Sequence, residues 1–212
     1  MLLAPVLLGI AAQLQTIQYT GVPIVAHADL TLHQVTFTIK DDQAQVRSDS
    51  RLVVPKDDMV SIQIPLYKKG EVRGTPQEFV PEATVDDQPV VLRLPLELRP
   101  EDFKPTMIVG NVRLAAGNHT LRITYKTVAA RTGLGGRQRT FAYGVGEGPQ
   151  IGRLEFIYHY DQDTVFNVPD MEPVAWRWQT GKTGTYTKRE HVQPGGEIVF
   201  FTYYTAKVED SN

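Results

Sequence analysis

The sequence predicts an all-β protein of antiparallel β-sandwich architecture with very little helix. Three observations carry this. Apolar residues recur at period two almost everywhere after Asp29, as they do in half-buried strands. Strand-like runs follow one another at intervals of about 8–12 residues, the spacing of sandwiches and barrels. The 212 residues include 17 Gly and 14 Pro, which interrupt nearly every stretch long enough to hold a helix.

The chain opens on a segment unlike the rest. Met1 to Ala28 contain no Asp, Glu, Lys or Arg, and Leu2–Ala12 is almost wholly apolar. Three readings fit. A secretory signal peptide has an apolar run of this length, and Ala26-His27-Ala28 before Asp29 suits cleavage, but no Lys or Arg precedes the run. A spanning anchor needs roughly 20 apolar residues, and Leu2–Ile17 contains Pro5 and two glutamines, so docking in the interface or against a membrane protein suits it better. In the third reading Val6–Ile10 or Gln18–Val25 is a buried strand of the domain. Docking is the expectation taken forward, with Leu2, Leu3, Val6, Leu7, Leu8 and Ile10 as the contacting residues.

Leu30 and Leu32, then Val35, Phe37 and Ile39, alternate with polar neighbours, and the change of parity between Leu32 and Val35 predicts a bulge. Lys40-Asp41-Asp42 makes a turn, Ala44–Val46 and Leu52–Val54 read as short strands, and Lys56-Asp57-Asp58 turns again. Val60, Ile62, Ile64 and Leu66 form the cleanest alternating face. Residues 67–76 read as a loop. Ala83–Val85 and Pro89–Leu94 flank Asp86-Asp87-Gln88 as a hairpin, where Asp is favoured by its bonds to local backbone. Arg99 to Pro105 breaks the pattern with two prolines and mixed charges. The expected organisation is therefore a segment 1–28 and two sandwich modules, 29–99 and 106–212, with one large sandwich as the alternative.

Beyond Pro105, Met107–Val109 and Val112–Leu114 are strands, and Leu121, Ile123 and Tyr125 share a face. Residues 131–149 are glycine-rich around a short strand at Thr140–Tyr143. Leu154, Phe156, Tyr158 and Tyr160 alternate, and Val174, Trp176 and Trp178 line one face of a strand that pairs with Thr185–Lys188. Ile198–Thr205 is apolar on both faces, which predicts a central strand.

Chemistry-bearing motifs are near misses. The absence of Cys removes disulfides, thiolate metal sites and a Cys nucleophile together. A net charge of −2 argues against nucleic acid as a partner. Gly181-Lys182-Thr183 resembles the end of a phosphate loop, yet Trp176 stands where that loop requires glycine. Gly144, Gly146 and Gly148 lack the spacing of a dinucleotide fingerprint and suit close approach of another backbone instead. His159, Asp161 and Asp163 fall at alternate positions and present an imidazole and two carboxylates, a set suited to a hard cation if the strand runs through Asp163. A turn leaving the strand accounts for the same residues.

Charge is segregated. Phe103 to Gly146 contains no acidic residue but Lys104, Arg113, Arg122, Lys126, Arg131, Arg137 and Arg139, and the next stretch reverses sign. Arg131, Arg137 and Arg139 in the glycine-rich loop are candidate contacts to lipid headgroups or an acidic partner, unless adjacent strands neutralise the runs. Trp176 and Trp178 are the candidate ligand face. Together these features predict a non-enzymatic, extracytoplasmic, membrane-associated accessory subunit without cofactor, periplasmic in a bacterium, which docks on a membrane-embedded protein complex and bridges its subunits. The alternative is a carbohydrate- or small-ligand-binding sandwich module of the bacterial envelope.

Overall fold

The computed structural model describes residues 17–69, 81–93, 106–132, 137–146, 148, 150–161, 170–172 and 176–205. Among them there is no helix, and every regular element is a strand. In chain order these are β1 (Ile17–Thr20), β2 (Ile24–Ala26), β3 (Asp29–Lys40), β4 (Gln43–Val54), β5 (Asp58–Lys69), β6 (Glu82–Val85), β7 (Gln88–Pro89) and β8 (Leu92–Arg93). They continue as β9 (Thr106–Leu114), β10 (Gly117–Val128), β11 (Ala130–Thr132), β12 (Gln138–Val145), β13 (Ile151–Tyr160), β14 (Asp170–Glu172), β15 (Arg177–Thr180), β16 (Gly184–Val192) and β17 (Glu197–Tyr204).

Three sheets form. The largest has the order β15-β16-β13-β3-β4-β10-β6-β7, a five-stranded sheet runs β1-β5-β9-β8 with β2 also on β5, and a four-stranded sheet runs β11-β12-β17-β14. Pairing is antiparallel except where β13 lies parallel to β3. The inner face of the large sheet packs onto the other two. Val60, Ile62 and Ile64 of β5 are fully buried in the same core cluster as Phe37, Phe156 and Tyr158 of the large sheet. The four-stranded sheet meets it through aromatic rings: Tyr158 stacks on Phe201 with centroids 4.0 Å apart, and Phe37 lies 6.0 Å from Phe141. Such rings bury large apolar areas, and their offset packing adds to the gain from burial alone.

Strand pairing crosses the boundary expected near residue 100. β5 pairs with β9, β4 with β10, and β3 with β13, so residues 29–99 and 106–212 contribute to common sheets and one continuous core. The boundary segment itself, 94–105, lies outside the described residues. Local alternation locates strands but carries no information about which distant strand completes a sheet.

The N-terminal segment is likewise not one unit. Residues 17–26 supply β1 and β2, which pair with β5 and bury Tyr19, Val22 and Val25. Cleavage after Ala28 would strip two strands and those three side chains from the fold. The strand reading is the one realised for this part, whereas Leu2, Leu3, Val6, Leu7, Leu8 and Ile10 lie outside the described residues.

Several turn chemistries appear as the sequence implies. Asp86 and Asp87 both adopt positive φ, 49° and 63°, between β6 and β7, which pair Val85 with Gln88. That is the two-residue hairpin geometry that Asp tolerates. The bulge on β3 falls between Leu30 and Leu32, slightly earlier than the parity change suggests. The neighbouring strand makes room for it: a Cβ on Gly152 would stand 2.5 Å from the carbonyl oxygen of Thr31, the bulged residue. Gly152→Ala therefore forces the bulge away from β13, and we expect a loss of about 1–3 kcal/mol in urea unfolding. A loss under about 0.5 kcal/mol would show that the bulge moves freely.

Candidate functional site

Three polar assemblies stand out among the described residues, and one of them is sealed from solvent. The first is built on the β3–β4 turn. Arg131 on β11 and Arg139 on β12 face each other in register, a like-charge pair that needs an anion between. Asp42 supplies it. Its Oδ1 accepts from Arg139 Nε at 2.5 Å, and its Oδ2 accepts from Arg131 Nε at 3.0 Å and Nη2 at 2.5 Å. Tyr203 donates its hydroxyl to the carbonyl of Asp41 at 2.6 Å, and the Ala129 N–H donates to the carbonyl of Asp42. Burial pushes the Asp42 carboxyl up, but the hydrogen bonds and charges of Arg139 and Arg131 outweigh it and hold the group below its ordinary value.

This assembly takes Arg139 out of the expected contact surface, since it is only 3% exposed, whereas Arg131, bound to the same carboxylate, keeps 37% of its side chain exposed. Arg137 alone of the three is exposed with no ion pair among the described residues. Part of the basic run is neutralised by acids of the first half of the chain: Arg122 pairs with Asp49 and Asp87, as Arg131 and Arg139 do with Asp42.

The second assembly is sealed. His33 has the same parity as Val35, Phe37 and Ile39, so it points into the core and is fully buried. Tyr143 donates to the carbonyl of Gly21 at 3.0 Å, which leaves its oxygen to accept from His33 Nε2 at 2.8 Å. Nδ1 is then the acceptor for the Ser50 hydroxyl at 2.7 Å. A hydroxyl hydrogen-bonded to an imidazole is the start of a nucleophile–base pair, but Ser50 is 1% exposed. Burial lowers the imidazole pKa to about 3, only slightly opposed by the charge of Asp49. The assembly locks β3, β4, β12 and the Gly21 turn together, and the N–H of Val22 donates to Gly144 at 2.9 Å. Glycine permits this on both sides: a Cβ on Gly21 would stand 2.6 Å from the Gly144 carbonyl oxygen and one on Gly144 2.5 Å from the Tyr67 ring, so the close backbone approach expected of the 144–148 glycines is realised at Gly144. The readable signal for His33 was its parity with an apolar face.

The third assembly is the outer face of the large sheet. Register aligns Arg177, Lys188, Glu155, Gln34, Asp49, Arg122 and Thr84 in one row across seven strands, from β15 to β6. Glu155, though on the outer face, is 6% exposed, because Gln34 Nε2 (2.6 Å), Arg153 Nε (2.9 Å) and the Tyr186 hydroxyl (3.3 Å) close over it. Burial and the neighbouring Glu155 charge raise the Tyr186 hydroxyl pKa. One strand level away, Gly184 lies opposite His159, and the missing side chain opens a groove of about 290 Å³ lined by His159, Gln179, Thr180 and Tyr186.

The remaining candidates divide as follows. His159 and Asp161 are exposed at this edge, Asp163 lies outside the described residues, and no group of three metal-ligating side chains occurs among the described residues. Trp176 is in the core, 4% exposed, with its edge on Phe156 (centroids 5.3 Å apart) and its Nε1 donating to Glu197 at 3.0 Å. Trp178 packs partly buried against Tyr158. The pair therefore does not form an exposed aromatic platform. The correction is physical: once β15 lies at a sheet edge over a core, its period-two apolar face turns inward.

No protein-family model matches the sequence, and no curated protein does. Solved structures do match. A proposed nutrient-binding protein of Legionella pneumophila superposes with TM-score 0.65 at 12% identity, covering 90% of this chain and 72% of that one. A proposed protease of Parabacteroides distasonis gives TM-score 0.44 at 9% identity over 85% of this chain, and an M1 zinc metallopeptidase of Deinococcus radiodurans gives 0.39 at 7% over 84%. The chain spans 41% and 42% of those two proteins. The similarity to the Legionella protein is one of fold: an all-β arrangement shared by two very different sequences.

Proposed function

We propose that this chain is a non-enzymatic, extracytoplasmic accessory subunit that docks on a membrane-embedded protein complex and bridges its neighbours. The observation that carries the reading is the continuity of the uncharged N-terminus with the body. Residues 1–16 hold no charge and include the apolar run Leu2–Ile10, and the chain passes from them directly into β1, which is hydrogen-bonded to β5. A segment that engages a membrane protein or lipid is thereby followed in sequence at once by a strand of the sheet.

The outer face of the large sheet suits the bridging role. Eight strands at about 4.8 Å spacing make a face about 34 Å wide, enough for the roughly 800 Å² per partner of a standard interface. Several charges on this face are already paired, Arg122 with Asp49, Arg153 with Glu155 and Lys188 with Glu190, which lowers the cost of covering them.

The test places charge in the apolar run and leaves the described strands untouched. Leu7→Arg with Leu8→Arg is expected to move most of the protein from the membrane fraction to the soluble fraction, each charge costing about 2.5–3.5 kcal/mol at depth. The melting temperature should stay that of the parent. Unchanged membrane association of this variant would overturn the reading.

A further inference from the structure

We propose that the groove beside Gly184, where β15 and β16 run beside the end of β13, binds a neutral saccharide residue. The proposal is independent of the docking role and rests on the groove alone.

The cleft is made by register. Gly184 stands opposite His159, Tyr186 stands opposite both Ile157 and Gln179, and Thr185 stands opposite Thr180. A side chain at position 184 would fill the space, since its Cβ would lie 3.0 Å from the carbonyl oxygen of Tyr158 and 3.6 Å from His159 Nδ1. The rim is held in place. Gly181 N–H donates to Gly184 at 2.8 Å, Tyr160 N–H donates to Thr183 at 3.1 Å, and the Tyr160 hydroxyl donates to Gly181 at 3.1 Å. The volume of about 290 Å³ lies at the small end of ligand sites.

The lining selects the ligand class. It contains no carboxylate, ammonium or guanidinium, so an ion that left water for this groove would find no countercharge. The His159 imidazole and the Gln179 carboxamide make no hydrogen bond or ion pair among the described residues. Each is both donor and acceptor, and the Thr180 hydroxyl, which accepts from Thr185 at 3.5 Å, keeps its own proton to donate. Sugar hydroxyls have the same double character. Ile157 and the ring of Tyr186, side by side in register, supply an apolar patch for the C–H face of a pyranose.

The experiment is an NMR titration of the full chain, solubilised in a detergent without a sugar headgroup. The probes are glucose, galactose, mannose, N-acetylglucosamine, cellobiose and maltose, with glucuronate and lysine as charged controls. At least one neutral probe is expected to shift the amides of Gly181 and Gly184 and the His159 ring, saturably. The double variant His159→Ala with Gln179→Ala changes only exposed side chains. It is expected to keep the parent melting temperature and weaken that binding about tenfold or more. Three results would overturn the proposal: no neutral probe shifts these signals, the double variant binds as the parent does, or a charged control binds as well as the best neutral sugar.

Discussion

Asp42→Ala is expected to lower the free energy of unfolding by about 3–5 kcal/mol, the cost of breaking a buried ion pair by removing one member. Arg139 is 3% exposed, and its register partner is another arginine. Removing the carboxylate leaves two guanidinium groups facing each other, one of them shut off from water. The backbone bond from Ala129 to Asp42 survives, so the change isolates the side chain. Arg131→Ala is the contrasting variant. That side chain is 37% exposed, and its loss is expected to cost about 0–1 kcal/mol, as for a surface ion pair. Denaturant titrations of both variants check the pair of values. Equal, small losses would mean that Arg139 finds water or another acceptor.

Lowering the pH from 6.5 to about 4.5 is expected to destabilise the protein through His33. The folded imidazole stays neutral down to about pH 3, whereas in the unfolded chain it gains a proton near pH 6.5. Below 6.5 the unfolded state therefore binds more protons, and stability falls with pH until the folded state also protonates near pH 3. Integrated over that interval the loss approaches about 5 kcal/mol. The window above pH 4.5 separates this from the carboxylates, since Asp42, Asp58 and Asp86, all held below their ordinary values, withdraw their contribution only at lower pH. His119 runs the other way. Its hydrogen bond to Asp86 raises its pKa, so its contribution is complete below pH 6.5 and is lost as pH rises through the folded value. His33→Gln is expected to be less stable at pH 7 but nearly flat in stability between pH 6.5 and 4.5. A variant as steep as the parent would remove His33 as the cause.

Strand content was legible because alternation is local. Val60, Ile62 and Ile64 read as one buried face and are one, and β17 reads as central and has β12 and β14 on its two sides. Strand lengths were less legible. Ala44–Val46 and Leu52–Val54 are the two ends of the continuous β4, because Ser48 and Ser50 face the core while looking like a break. Assembly was not legible, since the pairing of β3 with β13 is set by contacts more than a hundred residues apart. For the same reason Arg139 and Arg131 read as a free basic patch: their neutralising carboxylate, Asp42, is remote in sequence and adjacent only in the fold. His33 and the groove at Gly184 show the two remaining cases. One is a polar residue carrying core parity, the other a cavity that exists only after two strands pair.

The most direct test of the accessory-subunit account is mass spectrometry on fractionated native membranes. The account predicts that the protein stays in the membrane fraction until detergent is added, that peptides from residues 1–16 are present in it, and that a membrane protein co-purifies in fixed ratio. Protein found in the soluble fraction, lacking residues 1–16 and accompanied by no partner, would contradict it.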